Sequence, residues 1–547
     1  MPDSQANIAA AFLRNAHLRG DETFLKIRNA RGSVVYSYRQ IASLAMVANA
    51  HFRKCDLARG SVIAIILRHS VELYSSFLGA LMAGLVPTIM PFPTPKQDKA
   101  AYWTSHAELF RLSGISAIYT YEENITDIDR WLGTTVTRVF TAADVDPGQS
   151  SDEISSNHLA VLQHSSGTTA LKKGVMLTHE AIFNQVENYA KALSLEPGNR
   201  IASWLPLYHD MGFIACFLMP MIVGCPVVHI DPFVWSAKPT ILLDEIDAFG
   251  GEYVWMPNFA FNHIANLARA GEWSLGTVKA IINCSEPCKP ATFEKFRRIP
   301  QFRNLSDHAL QVCYAMAENV FAVTQTDLAE QPRVIRVRSE SLRQGRTVEL
   351  ATGDDAIEVL SCGMPISGTT VAVIDSQGVP QHADWMLGEI ALTGKSMYAG
   401  YYKRDEITAQ RLIDGWHHTG DIGFFVRGEL FVTGRVDDLL VIRGKNFYAH
   451  EIEEAVNELD LVLPGRAVAI AAFDTASGDA ALVILAEGAD LSLEATIARA
   501  VRNMVIDRFG ISLADFRLLP PQTLRKTTSG KLSRKDNLKL YKELERE

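Results

Sequence analysis

Residues 165–174 read SSGTTALKKG, and this stretch, rich in hydroxyls and glycine, decides how the rest of the chain is interpreted. It follows the apolar run of residues 158–164 and precedes a predicted helix with Thr178 as its N-cap. That helix is indicated by apolar residues on one face, namely Ile182, Val186, Tyr189 and Leu193. A strand, such a loop and a helix suit phosphate binding, because N–H groups, hydroxyls and lysines converge there. Taken alone, the composition of the loop is explained equally well by a solvated turn. The loop also lacks the G-x-x-x-x-G-K-[ST] pattern of a P-loop.

Size and composition narrow the class of protein. A chain of 547 residues is too long for one compact core, so two or more domains are expected. The formal net charge of −9 argues against a nucleic-acid binder. The seven cysteines lack metal spacing and are interpreted as free thiols in a reducing cytosol. The apolar stretches 77–91 and 213–228 are short and contain prolines, so we expect a cytoplasmic protein without a membrane span.

The order of apolar runs predicts an α/β fold with two domains. Residues 62–67, 71–83 and 85–90 form a strand–helix–strand pattern, which recurs around residues 159–163 and 227–230. Short alternating strands begin near residue 369. A compact α+β pattern follows residue 435, so a domain boundary is placed near residues 434–438.

Further short segments follow the loop in a fixed order. They are Tyr208-His209-Asp210, Ser285-Glu286-Pro287, Tyr314-Ala315-Met316-Ala317-Glu318, Thr419-Gly420-Asp421, Gly434-Arg435 and Ser529-Gly530-Lys531. Each alone has an ordinary structural explanation: Tyr314 as a core aromatic, Glu318 as a surface carboxylate, Asp421 as a turn residue.

Together, over nearly the whole chain, these segments resemble the adenylate-forming superfamily of acyl-CoA synthetases, luciferases, peptide-synthetase adenylation domains and fatty acyl-AMP ligases. The resemblance implies a large N-terminal domain, residues 1–435, of αβ-layered sheets with a small β-barrel at about 365–435. Residues 436–547 would form a mobile C-terminal lid. The family couples a carboxylate to the α-phosphate of ATP, with Mg²⁺, and releases pyrophosphate. Such a reaction requires positioning and charge stabilisation more than a covalent nucleophile.

The resemblance assigns the nucleotide-binding residues. The phosphates of ATP would be held by the loop residues Ser165, Ser166, Gly167, Thr168, Thr169 and Lys173. The adenine side would be formed by Ser285, Glu286, Pro287, Tyr314, Ala315 and Met316, with Tyr314 stacking on the base. Glu318 would hold Mg²⁺, Asp421 would accept both ribose hydroxyls, and Arg435 would reach the ribose or phosphate. The loop departs from the family pattern at Ala170, which replaces a glycine, and at Lys172, which replaces a proline.

The lid residues are assigned in the same way. Lys531 matches the lysine that bridges the attacking carboxylate and the α-phosphate, and is the expected catalytic residue together with Glu318. Asp437 matches the hinge on which the lid turns between the two half-reactions. Gly444 would lie on the lid face that admits the thiol.

The acid-binding side resembles the fatty acyl-AMP ligase branch. Residues 229–246 lack the aspartate that holds an α-amino group, and residues 333–363 lie where that branch carries an insertion that disfavours coenzyme A. Trp204, His209 and Met211 would line an apolar acyl pocket. The expected partners are therefore a hydrophobic carboxylic acid and a carrier-protein phosphopantetheine. An acyl-CoA synthetase using coenzyme A and a non-catalytic adenylate-fold binding protein are the alternatives.

Overall fold

The computed structural model describes most of the chain, in two compact units. The described residues are 7–93, 99–133, 136, 138–155, 158–164, 173–269, 271–342, 347–353, 356–375, 377–442, 445–459, 462–463, 465–474, 479–526 and 532–545. Of these described residues, one unit holds those within 7–164, 173–419 and 423–432, and the other holds those within 420–422 and 433–545.

The first unit alternates helices and strands over most of its length. Its helices are α1 Ile8–Arg19, α2 Tyr38–Lys54, α3 Val71–Met82, α4 Lys99–Ser113, α5 Ile125–Trp131, α6 His179–Ala192, α7 Met219–Val223, α8 Pro232–Ala237, α9 Ile241–Phe249, α10 Asn258–Leu267, α11 Pro290–Arg297 and α12 Asp405–Arg411. Its first ten strands are β1 Thr23–Asn29, β2 Gly32–Ser37, β3 Val62–Ile66, β4 Val86–Ile89, β5 Ile115–Thr120, β6 Arg138–Phe140, β7 Leu159–His164, β8 Gly174–Thr178, β9 Ile201–Ser203 and β10 Val227–Ile230. The later strands are β11 Tyr253–Met256, β12 Trp273–Ser274, β13 Ala280–Asn283, β14 Phe302–Arg303, β15 Leu310–Ala315, β16 Ala322–Gln325, β17 Val334–Arg338, β18 Ala356–Leu360, β19 Met364–Pro365, β20 Thr369–Ile374, β21 Pro380–Gln381, β22 Gly388–Gly394, β23 Leu412–Ile413, β24 Trp416–Val426 and β25 Glu429–Arg435. Residues 420–422 of β24 and 433–435 of β25 are counted in the second unit.

Two sheets with parallel centres organise this unit. The larger has the order β19-β16-β15-β13-β11-β9-β10-β1-β2, with parallel pairing from β15 through β1. The smaller, β4-β3-β5-β6, is parallel throughout. Every residue of β3 is buried, as expected for a parallel strand covered on both faces. The strand–helix–strand pattern predicted over residues 62–90 is confirmed, and so is the α/β fold class.

The segment around residues 159–178 differs from the prediction. β7 pairs with β8 in an antiparallel two-stranded sheet, with His164 opposite Gly174, so it belongs to no parallel unit. The loop therefore connects two strands, and α6 begins five residues after Gly174 rather than at the loop. The sequence of β8, GVMLT, is short and apolar and four of its residues are buried, which explains why it forms a strand. Thr178 caps α6 through the N–H of Ala181, as predicted.

A smaller sheet follows, with the order β21-β20-β22-β24-β23 and β25 beside β24. β20 pairs antiparallel with both β21 and β22. Its inward residues, with Val323 and Leu430, form a separate apolar cluster.

The second unit is built on a three-stranded sheet. Its strands are β26 Leu439–Ile442, β27 Lys445–Tyr448, β28 Ala467–Asp474, β29 Asp479–Glu487 and β30 Leu513–Leu519, and its helices are α13 Ala449–Asn457, α14 Glu494–Phe509 and α15 Arg534–Leu544. Alternate residues of β28 face opposite sides, because side chains alternate along a strand. Ala467 and Ala469 pack in a cluster with α13 and α14, whereas Val468 and Ile470 pack in a cluster with α15. No helix among the described residues is long and apolar enough to cross a membrane.

Candidate active site

Several of the expected site residues lie outside the described part of the chain. These are Ser165, Ser166, Gly167, Thr168, Thr169, Gly444 and Lys531, together with the loop positions Ala170 and Lys172. The backbone of Asp437 lies in a short turn, Val436–Asp438, and its side chain is not described. The roles assigned to these residues therefore stay predictions.

The strands on either side of the loop fix where its ends lie. The side-chain amide of Gln163 donates to the carbonyl of Tyr208 over 3.1 Å. His164, the last residue before the loop, has its Nδ1 2.9 Å from the Oγ1 of Thr88 at the end of β4. The end of β7 that precedes the loop is thus tied to Tyr208 and to Thr88.

Lys173, the next-to-last residue of the loop, lies beside a tyrosine. The backbone of β8 pairs with residues 399–402: Tyr402 N–H donates to the carbonyl of Gly174, and Met176 N–H donates to that of Gly400. This pairing places the ammonium nitrogen of Lys173 4.9 Å from the centre of the Tyr401 ring, within the range of a cation–π contact.

Glu318 reaches the same tyrosine from the end of β15. The phenol of Tyr401 donates to Glu318 Oε1 over 2.6 Å, and the backbone N–H of Tyr398 donates to the Glu318 carbonyl over 2.9 Å. Lys173 and Glu318, which are distant in sequence, are therefore brought together by Tyr401. Sequence reasoning missed this tyrosine, although the GYY in residues 400–402 stands between two predicted site segments.

The carboxylate of Glu318 could bind Mg²⁺ together with the phosphate oxygens of a bound nucleotide. Mg²⁺ takes hard oxygen ligands and ordinarily uses one or two carboxylates plus phosphate oxygens. Glu318 is one such carboxylate, and among the described residues no three His, Cys, Asp or Glu side chains are grouped to hold a metal. The site therefore fits a Mg²⁺ that is shared with a phosphate ligand.

The adenine-side segments lie on neighbouring parallel strands. Asn283 of β13 is opposite Val312 of β15, so Ser285 and Tyr314 each lie two residues further along the same edge. Ser285 has a positive φ of 70°, which turns the chain sharply after β13. Ala315 is the last residue of β15 and Met316 follows it, and both are half-buried like Tyr314. Such crevices at the carboxyl ends of parallel strands are where α/β sheets bind ligands.

Phe259 connects the adenine-side segment to the expected acid pocket. The Glu286 carboxylate accepts the backbone N–H of Phe259 over 2.9 Å, and Pro287 follows as an exposed residue. The Phe259 ring makes T-shaped contacts with Trp204 and Trp235, with 6.1 Å between ring centroids in each case.

The acid side is dominated by two stacked indoles. Trp204 and Trp235 are 3.5 Å apart with an angle of 3° between their planes, and both are buried. Met211 begins a π-helical segment, Met211–Leu218, whose residues are all buried and whose first N–H is accepted by Asp210. Such segments are rare and are often found at functional sites. His209 is half-buried beside the ring of Tyr208, at 4.7 Å between centroids.

Two buried histidines under this region were not foreseen from the sequence. The Nε2 atoms of His69 and His229 lie 2.9 and 3.0 Å from the carbonyls of Leu205 and Cys216, and the rings are 5.2 Å apart. Burial lowers the pKa of both imidazoles, so each is neutral and donates from Nε2. The two carbonyl contacts hold both rings in place.

Asp421 and Arg435 form an ion pair in the second unit. The guanidinium of Arg435 lies 3.4 Å from the Asp421 carboxylate, whose side chain is 11% exposed. A largely buried carboxylate of this kind is a suitable bidentate acceptor for two hydroxyls.

Comparisons with known proteins agree with this geometry. The family model for AMP-binding enzymes matches residues 12–402. The chain is 28% identical to the long-chain-fatty-acid–AMP ligase FadD32 of Mycolicibacterium smegmatis, over 98% of this chain and 94% of that protein. It is 26% identical to the medium-chain-fatty-acid–[acyl-carrier-protein] ligase JamA of Moorena producens, over 91% and 88% respectively.

The fold matches a solved structure from work on the fatty acyl-adenylate ligases of E. coli and L. pneumophila. The TM-score is 0.87 at 24% identity, and the match covers 98% of each chain. With the Lys173–Tyr401–Glu318 cluster beside the adenine-side segments, and with the family model spanning well over half of its length, this chain belongs to the AMP-binding enzyme family.

Proposed function

We propose that this protein activates a hydrophobic carboxylic acid with ATP and then transfers the acyl group to a phosphopantetheine thiol of a carrier protein. In the first step, a carboxylate oxygen bonds to the α-phosphorus, the bond to the bridging oxygen breaks, and pyrophosphate leaves. In the second, the thiol sulfur bonds to the acyl carbon, its proton is released, and AMP leaves with the former carboxylate oxygen.

The observation that carries this proposal is the meeting of Lys173 and Glu318 on Tyr401. An ammonium and a carboxylate fixed at one place suit a nucleotide triphosphate with its Mg²⁺, the ammonium for phosphate oxygens and the carboxylate for the cation. The cation would neutralise charge that develops on the phosphates. Ser285, Glu286 and Tyr314 lie on neighbouring strand ends, where they would hold the adenine.

The apolar acid is supported by the residues on the acid side. Trp204, Trp235 and Met211 are buried and offer apolar surface, which suits an apolar substrate. Both named relatives carry fatty acids in their names.

A carrier protein is favoured as acceptor over coenzyme A. The name of JamA states a ligase for an acyl carrier protein. Residues 333–363, where the insertion is expected, contain an antiparallel hairpin of β17 and β18. The resemblance associates an insertion at these residues with exclusion of coenzyme A.

The test is ATP–pyrophosphate exchange over a panel of carboxylic acids, followed by thioester assays that offer holo-carrier protein or coenzyme A. We expect exchange with fatty acids of medium or long chain and loading of the carrier protein alone. Loading of coenzyme A would make the protein an acyl-CoA synthetase. Absence of exchange with every acid would favour a non-catalytic binding protein.

A further inference from the structure

Tyr401 is a buried residue that touches both charged groups of the proposed nucleotide site. It is 2% exposed, its phenol oxygen lies 2.6 Å from Glu318 Oε1, and its ring face lies 4.9 Å from the Lys173 nitrogen. The Tyr401 side chain therefore contacts the Glu318 carboxylate through its hydroxyl and the Lys173 ammonium through its ring face.

The direction of the hydrogen bond follows from the chemistry of the two groups. A phenol has one O–H to donate and an ionised carboxylate only accepts, so Tyr401 donates and Glu318 accepts. The bond is made to Oε1 of Glu318, so Oε2 is the oxygen that would bind a cation.

The backbone around Tyr401 is held from several directions. Its own N–H donates to Thr408 Oγ1 over 2.9 Å, and the next N–H, that of Tyr402, donates to Gly174. The ring of Tyr398 meets it edge-on at 5.1 Å between centroids, and the Tyr398 hydroxyl lies 3.2 Å from His417 Nδ1. The position of the Tyr401 phenol is thus set by contacts independent of any ligand.

We propose that Tyr401 is a positioning residue, which orients the Glu318 carboxylate towards the cation and holds Lys173 at a fixed place on its ring. The inference rests on the proposed function, since it concerns how the metal–nucleotide complex is bound. A carboxylate that binds a metal is commonly oriented by a hydrogen bond to its second oxygen, and loss of such a donor weakens metal binding about 10- to 100-fold.

Two substitutions separate the two contacts. Tyr401→Phe removes the donor to Glu318 and keeps the ring face for Lys173, whereas Tyr401→Leu removes both. Tyr541→Phe is the matched control, because it deletes the same atom from a buried tyrosine whose hydroxyl also donates to a carboxylate, that of Asp515, over 3.2 Å.

The readout is binding of Mn²⁺, as a magnetic probe for Mg²⁺, with α,β-methylene-ATP, measured by electron paramagnetic resonance without turnover. We expect Tyr401→Phe to weaken Mn²⁺ binding by about tenfold or more, with Tyr541→Phe within about twofold of the native protein. Tyr401→Leu should in addition weaken binding of the nucleotide alone. The Mg²⁺ concentration for half-maximal exchange should rise in parallel for Tyr401→Phe.

A double-mutant cycle with Glu318→Gln excludes a merely structural effect. If the hydroxyl acts through the carboxylate, Tyr401→Phe should change Mn²⁺ binding little once Glu318 is replaced. Equal Mn²⁺ binding by the native protein and Tyr401→Phe, or an undiminished effect in the Gln background, would overturn the inference. Failure of the native protein to bind the probe and to catalyse exchange would instead overturn the proposed function.

Discussion

His179, the first residue of α6, accepts a hydrogen bond that a charged imidazole could not. The backbone N–H of Ile8 donates to its Nδ1 over 3.3 Å, which joins the start of α1 to the start of α6. Burial is the main cause that lowers the pKa of His179 to about 4, and His158 lowers it further. The native state therefore keeps this histidine neutral at pH values where the unfolded chain protonates it.

Acid should consequently destabilise the protein through this residue. Full stability is present above the unfolded pKa of about 6.5 and is lost as pH falls from there towards 4, by roughly 3 kcal/mol in all. His179→Gln keeps an acceptor that does not titrate. Urea unfolding of both proteins between pH 7.5 and 4 should show a steeper loss for the native protein, and parallel curves would contradict the assignment.

Lys531 is the residue on which the rate of adenylation is expected to depend. Its ammonium would stabilise charge that develops on the α-phosphate, so Lys531→Ala should lower acid-dependent ATP–pyrophosphate exchange on the order of 10²–10³-fold. Lys526 is the control, since it is a lysine that stands five positions earlier in the sequence. Exchange should persist in Lys526→Ala, and full exchange in Lys531→Ala would show that the lysine has no such role.

Arg534, at the start of α15, joins three elements of the second unit. Its guanidinium bonds both oxygens of Glu453 in α13, over 3.1 and 2.7 Å, and also bonds Asp438 at the end of the turn before β26. All three side chains are less than a quarter exposed. Burial raises the pKa of Glu453, while Arg534 opposes that shift.

Removing the arginine should leave two buried carboxylates without their cation. Breaking a buried ion pair from one side costs about 3–5 kcal/mol, so we expect Arg534→Ala to lower the unfolding midpoint of the second unit, and Arg534→Lys to lower it less because a point charge cannot bond both oxygens. The check is thermal unfolding of both variants beside the native protein. An unchanged midpoint in Arg534→Ala would mean that the network adds nothing to stability.

Some helices and strands could be predicted from the sequence alone, and others could not. Strands with continuous apolar runs, such as β3 and β28, and the capped helix α6 were predictable because their periodicity and burial are local properties. β8 was missed because a run of five residues after a loop carries little periodicity, and its partner is set by tertiary pairing. For the same reason the site residues could be named one by one, but the role of Tyr401 could not. Its contacts to Lys173 and Glu318 join residues 83 or more positions apart.

At the scale of the molecule, the two units have separate apolar cores. Residues such as Ile182 and Val312 belong to the first core, while Ile484 and Val501 belong to the second. A change in the backbone between the units would leave both cores intact. The turn Val436–Asp438 lies just after the first unit ends at residue 432, which is where a hinge is expected from the resemblance.

Asp437→Pro should therefore uncouple the two half-reactions. Proline fixes φ near −65° and restricts the residue before it, so the backbone could no longer rotate at this turn. Acyl-AMP formation, measured by pyrophosphate exchange, should persist, while transfer to holo-carrier protein should fall ~10-fold or more. Asp437→Ala is the control, because it removes the same carboxylate and leaves the backbone free, and its transfer rate should stay near that of the native protein. If both variants lost transfer equally, the carboxylate rather than the rotation would be what the second half-reaction requires, and a hinge at Asp437 would be wrong.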